Sequence, residues 1–274
     1  MGPVLVLGND RKAGVADAVA EVRPRLEKDF GVAAIDLKGD LDVCSVGAGW
    51  CLVFGGDGAM LNAARRMAKN PIPTLGVNFG KFGFLTEVRF SELPTALNRI
   101  AQDQIRIRER LMLRAQVRDW QVYGLNDVVV HGSPVGRLFR FNVLIEKRKA
   151  AAYAGDGLVI ATPTGSTAYN LAAGGPILDP DLRAIAVTPL AAHSISQRPI
   201  VIPGDQPIEI RVEEEGAKGL VSVDGQVRHE IGPNDVLRVA AADKSFKLIR
   251  VGVRSYYRML RQKLGWSGVP KYRL

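Results

Sequence analysis

Residues 50–70 read WCLVFGGDGAMLNAARRMAKN: an apolar run, a glycine turn around one carboxylate, then a segment of good helix formers. The run from Trp50 to Phe54 is continuous rather than alternating, as in a strand buried on both faces. Met60, Leu61, Ala64 and Met67 then recur at helical spacing. The Asp-Gly pair is therefore not a hairpin turn, after which strand alternation would resume. Strand, glycine turn and helix form the unit of a parallel sheet, and the carboxyl end of such a strand is where α/β sheets take ligands. Bare N–H groups at such a turn suit phosphate. Asp57 opposes an anion there, so either the turn is structural or its carboxylate has a chemical task. The stretch is not a Walker A loop, since no Lys-Ser or Lys-Thr follows, and it is not GxGxxG.

The flanking sequence continues the alternation. PVLVLG is an earlier buried strand, and AGVADAVAEVRPRLEKDFG sets Val15, Val19, Val22 and Leu26 on one helical face before Gly31, with Pro24 expected to kink or break it. PIPTLGVN reads as a further strand, and FSELPTALNRIAQ as a helix capped by Ser91. These elements predict a Rossmann-like parallel-sheet domain over 1–104. Beyond it the texture changes to short β-rich segments such as RFNVLIE, GLVIA, IVIP and VLRVAA, separated by Gly, Pro, Asp or Asn. Ile208, Ile210 and Val212 alternate with Glu209, Arg211 and Glu213, a half-buried strand. A β-sandwich-like domain over 105–251 follows. SYYRMLRQKLGW returns to helical spacing at Tyr257, Leu260 and Leu264, so 252–274 is expected to pack back on the N-terminal domain and complete it. The fold class is α/β plus all-β.

Composition narrows the partners. Of 274 residues, 47% are hydrophobic and 24% charged, an ordinary globular balance. The 37 basic and 28 acidic residues give +9, which suits anionic ligands such as nucleotides or polyphosphate. The charges are scattered with no aromatic-interleaved basic stripe, so nucleic acid is not expected, and EKRKAAAY at 146–153 reads as a solvated turn. Cys44 and Cys51 have no CxxC or nearby His and read as reduced and structural. MGPVLVLGND has no basic segment before its apolar run, its Val6 departs from the myristoylation pattern, and no stretch approaches the ~18 apolar residues of a span. A soluble, cytoplasmic protein is the expectation.

Two other stretches invite a ligand. NFGKFGFLTE at 78–87 offers Lys81 to a phosphate, while Phe79, Phe82 and Phe84 read as core. GDGLVIATPTGSTAYNLAAGGPI at 155–177 combines small residues, hydroxyls and exposed backbone, then a short helix ended by Gly174-Gly175. Asn126, Asp127, Asp224 and Gln226 sit at strand ends. His131 and His229 follow strands and read as surface, His193 as a capping or core residue, and none lies in a catalytic or metal pattern.

GGDG at 55–58, LNDVVVHG at 125–132, DGLVIATPTGSTAYNLAAGGPI at 156–177, AHSISQRPIVIP at 192–203 and SVDGQ at 222–226 together resemble the NAD kinase family, in order along essentially the whole chain. GGDG also occurs in lipid kinases and phosphofructokinases; TPTGSTAY placed after it is the specific part. The resemblance implies phosphoryl transfer from ATP or inorganic polyphosphate to the 2′-hydroxyl of the adenosine ribose of NAD, giving NADP. It also implies an α/β domain and a β-rich domain supplying most of the NAD site, assembled as a homodimer or homotetramer.

By the same resemblance Asp57 is the proton acceptor, and Gly55, Gly56 and Gly58 meet the donor phosphates. Asn126 and Asp127 hold the adenosine part, and Asp156 lies near the nicotinamide half. Thr167, Ala168, Tyr169 and Ala172 wall the adenine and ribose, Ala191 and Gln226 add NAD contacts, and Phe84 and Asn62 border the site. Phosphoryl transfer needs chiefly positioning and charge neutralisation, with one residue to take the hydroxyl proton; a divalent cation, Mg²⁺, would screen that carboxylate from the phosphates. No metal ligand is named by the motifs.

Two positions depart from the family pattern. The usual Asn-Glu pair is Asn126-Asp127 here, one methylene shorter, which leaves room for a bridging water. Ala154 stands where several relatives carry Arg. A lipid or sugar kinase sharing the GGDG turn, and a catalytically silent NAD-binding sensor, are the competing readings.

Overall fold

Buried β-branched and aromatic runs set three parallel strands side by side: β1 (Val4–Leu7), β3 (Trp50–Phe54) and β4 (Thr74–Asn78), each buried along its whole length. The computed structural model describes residues 1–80, 83–133, 139–192, 196–213, 218–252 and 255–265. Within them the first sheet adds β2 (Val32–Asp36), β5 (Val88–Arg89), β6 (Arg106–Arg110) and β19 (Phe246–Arg250), in the order β2-β1-β3-β4-β19-β6 with β5 beside β4. Helices α1 (Val15–Asp29) and α3 (Leu93–Ala101) cover one face, burying Val19, Leu26, Leu93 and Leu97 against Val4, Trp50 and Leu52. On the other face α2 (Asp57–Arg66) buries Met60, Leu61 and Ala64 against Leu5 and Val53. Met112, Leu125 and Phe246 join that cluster, so the α2 face is also where the second half of the molecule is anchored.

The second half is a sandwich of two antiparallel sheets. One contains β7 (Leu113–Val117), β8 (Trp120–Gly124), β10 (Phe139–Ile145), β11 (Arg148–Gly155), β15 (Ile208–Val212) and β18 (Val236–Ala241). The other contains β9 (Asp127–Ser133), β12 (Gly157–Ala161), β13 (Ala184–Leu190), β14 (Ile200–Pro203), β16 (Lys218–Val223) and β17 (Val227–Ile231). Alternate residues such as Phe141, Val143, Ile208, Ile210, Val128, Val130, Leu158 and Ile160 meet between the sheets. The odd-numbered partners Val129, Val159 and Ala161 face outward, where Leu178 and the segment after short helix α4 (Tyr169–Ala172) cover them.

Several sequence expectations change. β6 and β19 lie inside the span expected for the β-rich part, 105–251, yet they pair with each other antiparallel and join the parallel sheet. Helix α1 runs through Pro24 unbroken; the proline removes one donor to Ala20, whose carbonyl lies on the exposed face where water can replace it. Ser91 is not a cap: residues 90–92 form a 3-10 turn, and the Glu92 carboxylate accepts the Arg89 N–H at 2.7 Å instead. His131 and His229 lie within β9 and β17 rather than after strands, and His229 stacks on Trp120 with ring centroids 4.5 Å apart. Lys81, Phe82 and His193 lie outside the described residues.

Other readings stand in whole or in part. Of the stretch 146–153 expected as a solvated turn, Glu146 and Lys147 form the β10–β11 turn with positive φ, while Arg148 to Tyr153 continue as β11, with Tyr153 buried in the sandwich core. Cys44 and Cys51 are free thiols, and burial pushes the Cys51 thiol far up. Helix α5 (Tyr256–Leu264) returns to Phe84 of the first half, and also reaches the second, where Tyr256 Oη donates to the Leu178 carbonyl at 3.1 Å. No described helix is long and apolar enough to cross a membrane.

Candidate active site

Strand order reverses between β1 and β3, and ligands of open α/β sheets bind outside the carboxyl ends at such a switch point. A cavity of about 780 Å³ lies there. It is lined by Gly8–Lys12 after β1, Leu37–Asp40 after β2, and Gly55, Gly56, Gly58 and Asn62 after β3, with Gln226 reaching in from the sandwich. The turn is tight because Ala59 is close: a Cβ at Gly55 would fall 2.4 Å from the Ala59 Cβ. Arg11, Lys12 and Lys38 are exposed at the rim and form no ion pair among the described residues. The loop after β2 is held by Asp36, whose carboxylate accepts backbone N–H groups of Lys38, Gly39, Asp40 and Leu41 and pairs with Arg66. Burial raises the Asp36 pKa, but the Arg66 hydrogen bond and the N–H donors outweigh it and bring it to about 2.

Asp57 opens α2, and its carboxylate is seated on the backbone of residues 84 and 85. Its Oδ2 accepts the Phe84 N–H at 2.8 Å and its Oδ1 the Leu85 N–H at 3.0 Å. Gly83 makes this seat possible, since a Cβ there would lie 1.7 Å from Asp57 Oδ1. The second glycine stretch thus serves the carboxylate of the first, and its key residue was Gly83, which sequence reasoning passed over. Phe79 packs with Phe54 and Phe90 as core, whereas Phe84 meets Tyr256 and lines a second cavity of about 360 Å³ with Thr164 and Thr167. The Thr164 hydroxyl is buried without a hydrogen-bond partner. Buried hydroxyls without a partner among the described residues are uncommon, and nothing in the spacing of TPTGSTAY distinguished this one from its neighbours.

The loop running from residues 124–127 to 162–172 is assembled by backbone contact. Gly165 lies against Asn126, whose carbonyl would be 2.0 Å from a Cβ, and the Asn126 carbonyl accepts the Thr162 N–H at 2.9 Å. Thr167 ends a 3-10 turn, Ala168 follows it, and Tyr169 begins α4, with exposed Ala172 at its end. Asp224 accepts N–H groups from Leu125, Asn126 and Asp127 at 2.9, 2.7 and 3.1 Å. Asp127 is buried; desolvation, then the Asp224 charge, push its pKa up to about 7.

Asp156, Ala154 and Ala191 form a separate group. Asp156 precedes β12, whose far end leads to Thr162, about 20 Å away at strand rise. Its N–H donates to the Leu190 carbonyl at 2.9 Å, and Gly155 has no room for a Cβ beside the Leu190 and Ala191 carbonyls. Tyr169 leans toward this group through His131, ring centroids 6.1 Å apart. Among the described residues no cluster of three or more His, Cys, Asp or Glu is set to hold a metal.

A glycine turn at a switch point, a seated carboxylate beside it and a preassembled loop across from it define a nucleotide-dependent phosphotransferase in two parts. Residues 19–105 match the ATP-NAD kinase N-terminal domain and residues 125–251 the ATP-NAD kinase C-terminal domain. The NAD kinase of Heliobacterium modesticaldum is 43% identical over 218 residues, 78% of this chain and 77% of that protein. That of Azoarcus sp. is 37% identical over 98% of this chain and 97% of its own. Yeast NADH kinase complexed with NADH superposes with a TM-score of 0.89 at 20% identity, covering 100% of this chain and 90% of that one. An NAD kinase from Archaeoglobus fulgidus in complex with ATP gives 0.78 at 21% identity, covering 97% and 100%, so both share the fold. The chain belongs to the ATP-NAD kinase family. It is an NAD kinase in activity, a transferase that phosphorylates NAD with ATP.

Proposed function

We propose that the larger cavity takes the donor's phosphates and that Asp57 accepts the proton of the NAD 2′-hydroxyl. The hydroxyl oxygen bonds to the terminal phosphorus, the bond from that phosphorus to the nucleoside diphosphate breaks, and the proton passes to Asp57. The observation that carries this is the seat of Asp57: both oxygens are fixed by backbone N–H groups at the head of the helix whose glycine turn lines the cavity. A carboxylate so fixed needs no reorientation in the transition state. Arg11, Lys12 and Lys38 supply positive charge for the phosphates, which is most of what phosphoryl transfer asks of a protein.

Asn126, Asp127, Thr167, Ala168, Tyr169 and Ala172 hold the adenosine half, with Phe84 and Thr164 at its edge and Asn62 on the donor side. Asp156, Ala154 and Ala191 serve the nicotinamide half. The described residues fit Mg²⁺ carried on the donor phosphates rather than caged by protein, with Asp10 and Asp40 as the carboxylates facing that cavity. The cation supplies neutralisation of the phosphate charge. Inorganic polyphosphate offers the same repeating phosphates to the rim cations and is an alternative donor. Two free thiols and no disulfide support a cytoplasmic site, and the family resemblance supports a homodimer or homotetramer.

Purified protein incubated with NAD and Mg²⁺, and with either ATP or polyphosphate, should yield NADP. Failure with both donors would sink this reading, and success with ATP alone would remove polyphosphate from it.

A further inference from the structure

Helix α2 carries Asp57 in its first turn and Arg65 near its end, about 12 Å along the axis. Arg65 is half-buried. Its Nη1 donates to Gln226 Oε1 at 2.9 Å, and Gln226 Nε2 donates to the Gly58 carbonyl at 2.9 Å. The Gln226 amide is therefore held at both ends by one helix, 161 and 168 residues away in sequence.

Gln226 closes the β16–β17 turn, in which Asp224 and Gly225 have φ of 51° and 66°. Positive φ at both central residues gives the tight hairpin turn that Asp-Gly favours. The conformation aims the Asp224 carboxylate at the N–H groups of Leu125, Asn126 and Asp127, and the Asp224 N–H returns to the Asp127 carbonyl at 3.0 Å. Burial disfavours the Asp224 charge, while the three N–H donors and the Arg65 charge favour it. A Cβ at Gly124 would meet Val223 at 2.6 Å and Asp224 at 3.1 Å, so the acceptor loop and the turn are packed without slack. One guanidinium thus links the helix bearing Asp57 to the loop bearing Asn126 and Asp127.

We propose that Arg65 is a positioning residue for phosphoryl transfer: by clamping the 224–226 turn onto α2, it sets the acceptor loop in register with Asp57. The proposal rests on the roles given to Asp57 and the acceptor loop above. Reacting groups displaced by about 1 Å lose on the order of 10²-fold in rate, so a loosened clamp acts on turnover before it acts on donor affinity.

The test compares wild type, Arg65→Met, Arg65→Lys and Gln226→Leu by steady-state NADP formation and by amide hydrogen exchange across 124–127. Arg65→Met is expected to lower kcat at least tenfold, leave the KM for ATP within about twofold, and speed exchange at Leu125, Asn126 and Asp127. Arg65→Lys, which can still reach Gln226, should recover most of the loss. Combining Arg65→Met with Gln226→Leu should cost little more than the worse single change, since both break one clamp. Unchanged kcat overturns the proposal, whether exchange is unchanged or faster, because faster exchange alone describes a structural brace. A parallel rise in the ATP KM with kcat intact also overturns it. A wild type that forms no NADP would fail the kinase reading itself, an outcome distinct from an active wild type indifferent to Arg65.

Discussion

The loops at the carboxyl ends of the parallel strands and those at the ends of the antiparallel strands handle polar groups in opposite ways. Around the larger cavity Arg11, Lys12 and Lys38 stand exposed without acidic partners among the described residues. Across the loop from residues 124–127 to 162–172 most buried polar atoms are committed to one another, with Thr164 Oγ1 the exception among the described residues. Thr162 Oγ1 donates to the Leu125 carbonyl at 2.6 Å and accepts the Gly165 N–H at 3.0 Å. Asn170 accepts from Thr188 at 2.7 Å and donates to the Pro176 carbonyl at 2.9 Å. The contrast fits the two tasks. Under the roles proposed above, a donor that arrives charged and leaves shorter by one phosphate would meet exposed cations, whereas an acceptor hydroxyl that must be aimed would meet a prebuilt frame.

The hardest blow to that contrast would fall at Asp57, where the halves meet. Asp57→Asn is expected to cut kcat on the order of 10³-fold while NAD affinity, followed by calorimetric titration, stays within a few fold. Near-normal NADP formation by this variant would end its assignment as the proton acceptor. Gly83→Ala comes next: the new Cβ would collide with the Asp57 carboxylate, and a loss of about 10² in kcat is expected from its displacement. Lys12→Ala combined with Lys38→Ala should raise the ATP KM about tenfold and leave the NAD KM within twofold. A shift in the NAD constant instead would dissolve the division between the halves.

The smallest effect concerns proton linkage on the prebuilt side. Asp127 is raised to about 7, so the folded state holds its proton more tightly than the unfolded chain does. The stabilisation from keeping it protonated is complete below about pH 4 and is lost as pH climbs to 7. Urea unfolding from pH 4 to 8 should show stability declining through that window, by at most about 1.4 kcal/mol per pH unit for this proton. Asp127→Asn should flatten the decline, and equal profiles for both proteins would show that burial and the Asp224 charge do not raise Asp127.

Much of this was legible before any coordinates. Continuous apolar runs at 3–8 and 50–54, with the strand read over 71–78, identified the parallel core, and strict alternation at 208–213 identified the sandwich. VAAID at 32–36 was missed because a half-exposed edge strand of small residues has neither signature. RIRER at 106–110 has one apolar residue among four charged ones and so carries no strand pattern, and nothing local says that its partner is β19. The motifs named the site's backbone turns and Asp57, but not the groups that hold them. Gly83 and Arg65 act on residues 26 and 161 positions away, and no spacing rule reaches that far; Asp224 stood in the SVDGQ motif, but nothing local pairs it with Leu125.

The insertion of β19 between β4 and β6 has a bearing on biosynthesis. The entire sandwich is made before the strand that joins those two neighbours leaves the ribosome, so until then the nascent parallel sheet ends at β4, whose outer edge is paired only by the two residues of β5. Such an edge is a template for pairing with another chain, and closure by so distant a segment is slow. The tail of this protein is the keystone of its head, and a nascent chain halted short of residue 246 would present its nucleotide half unsealed.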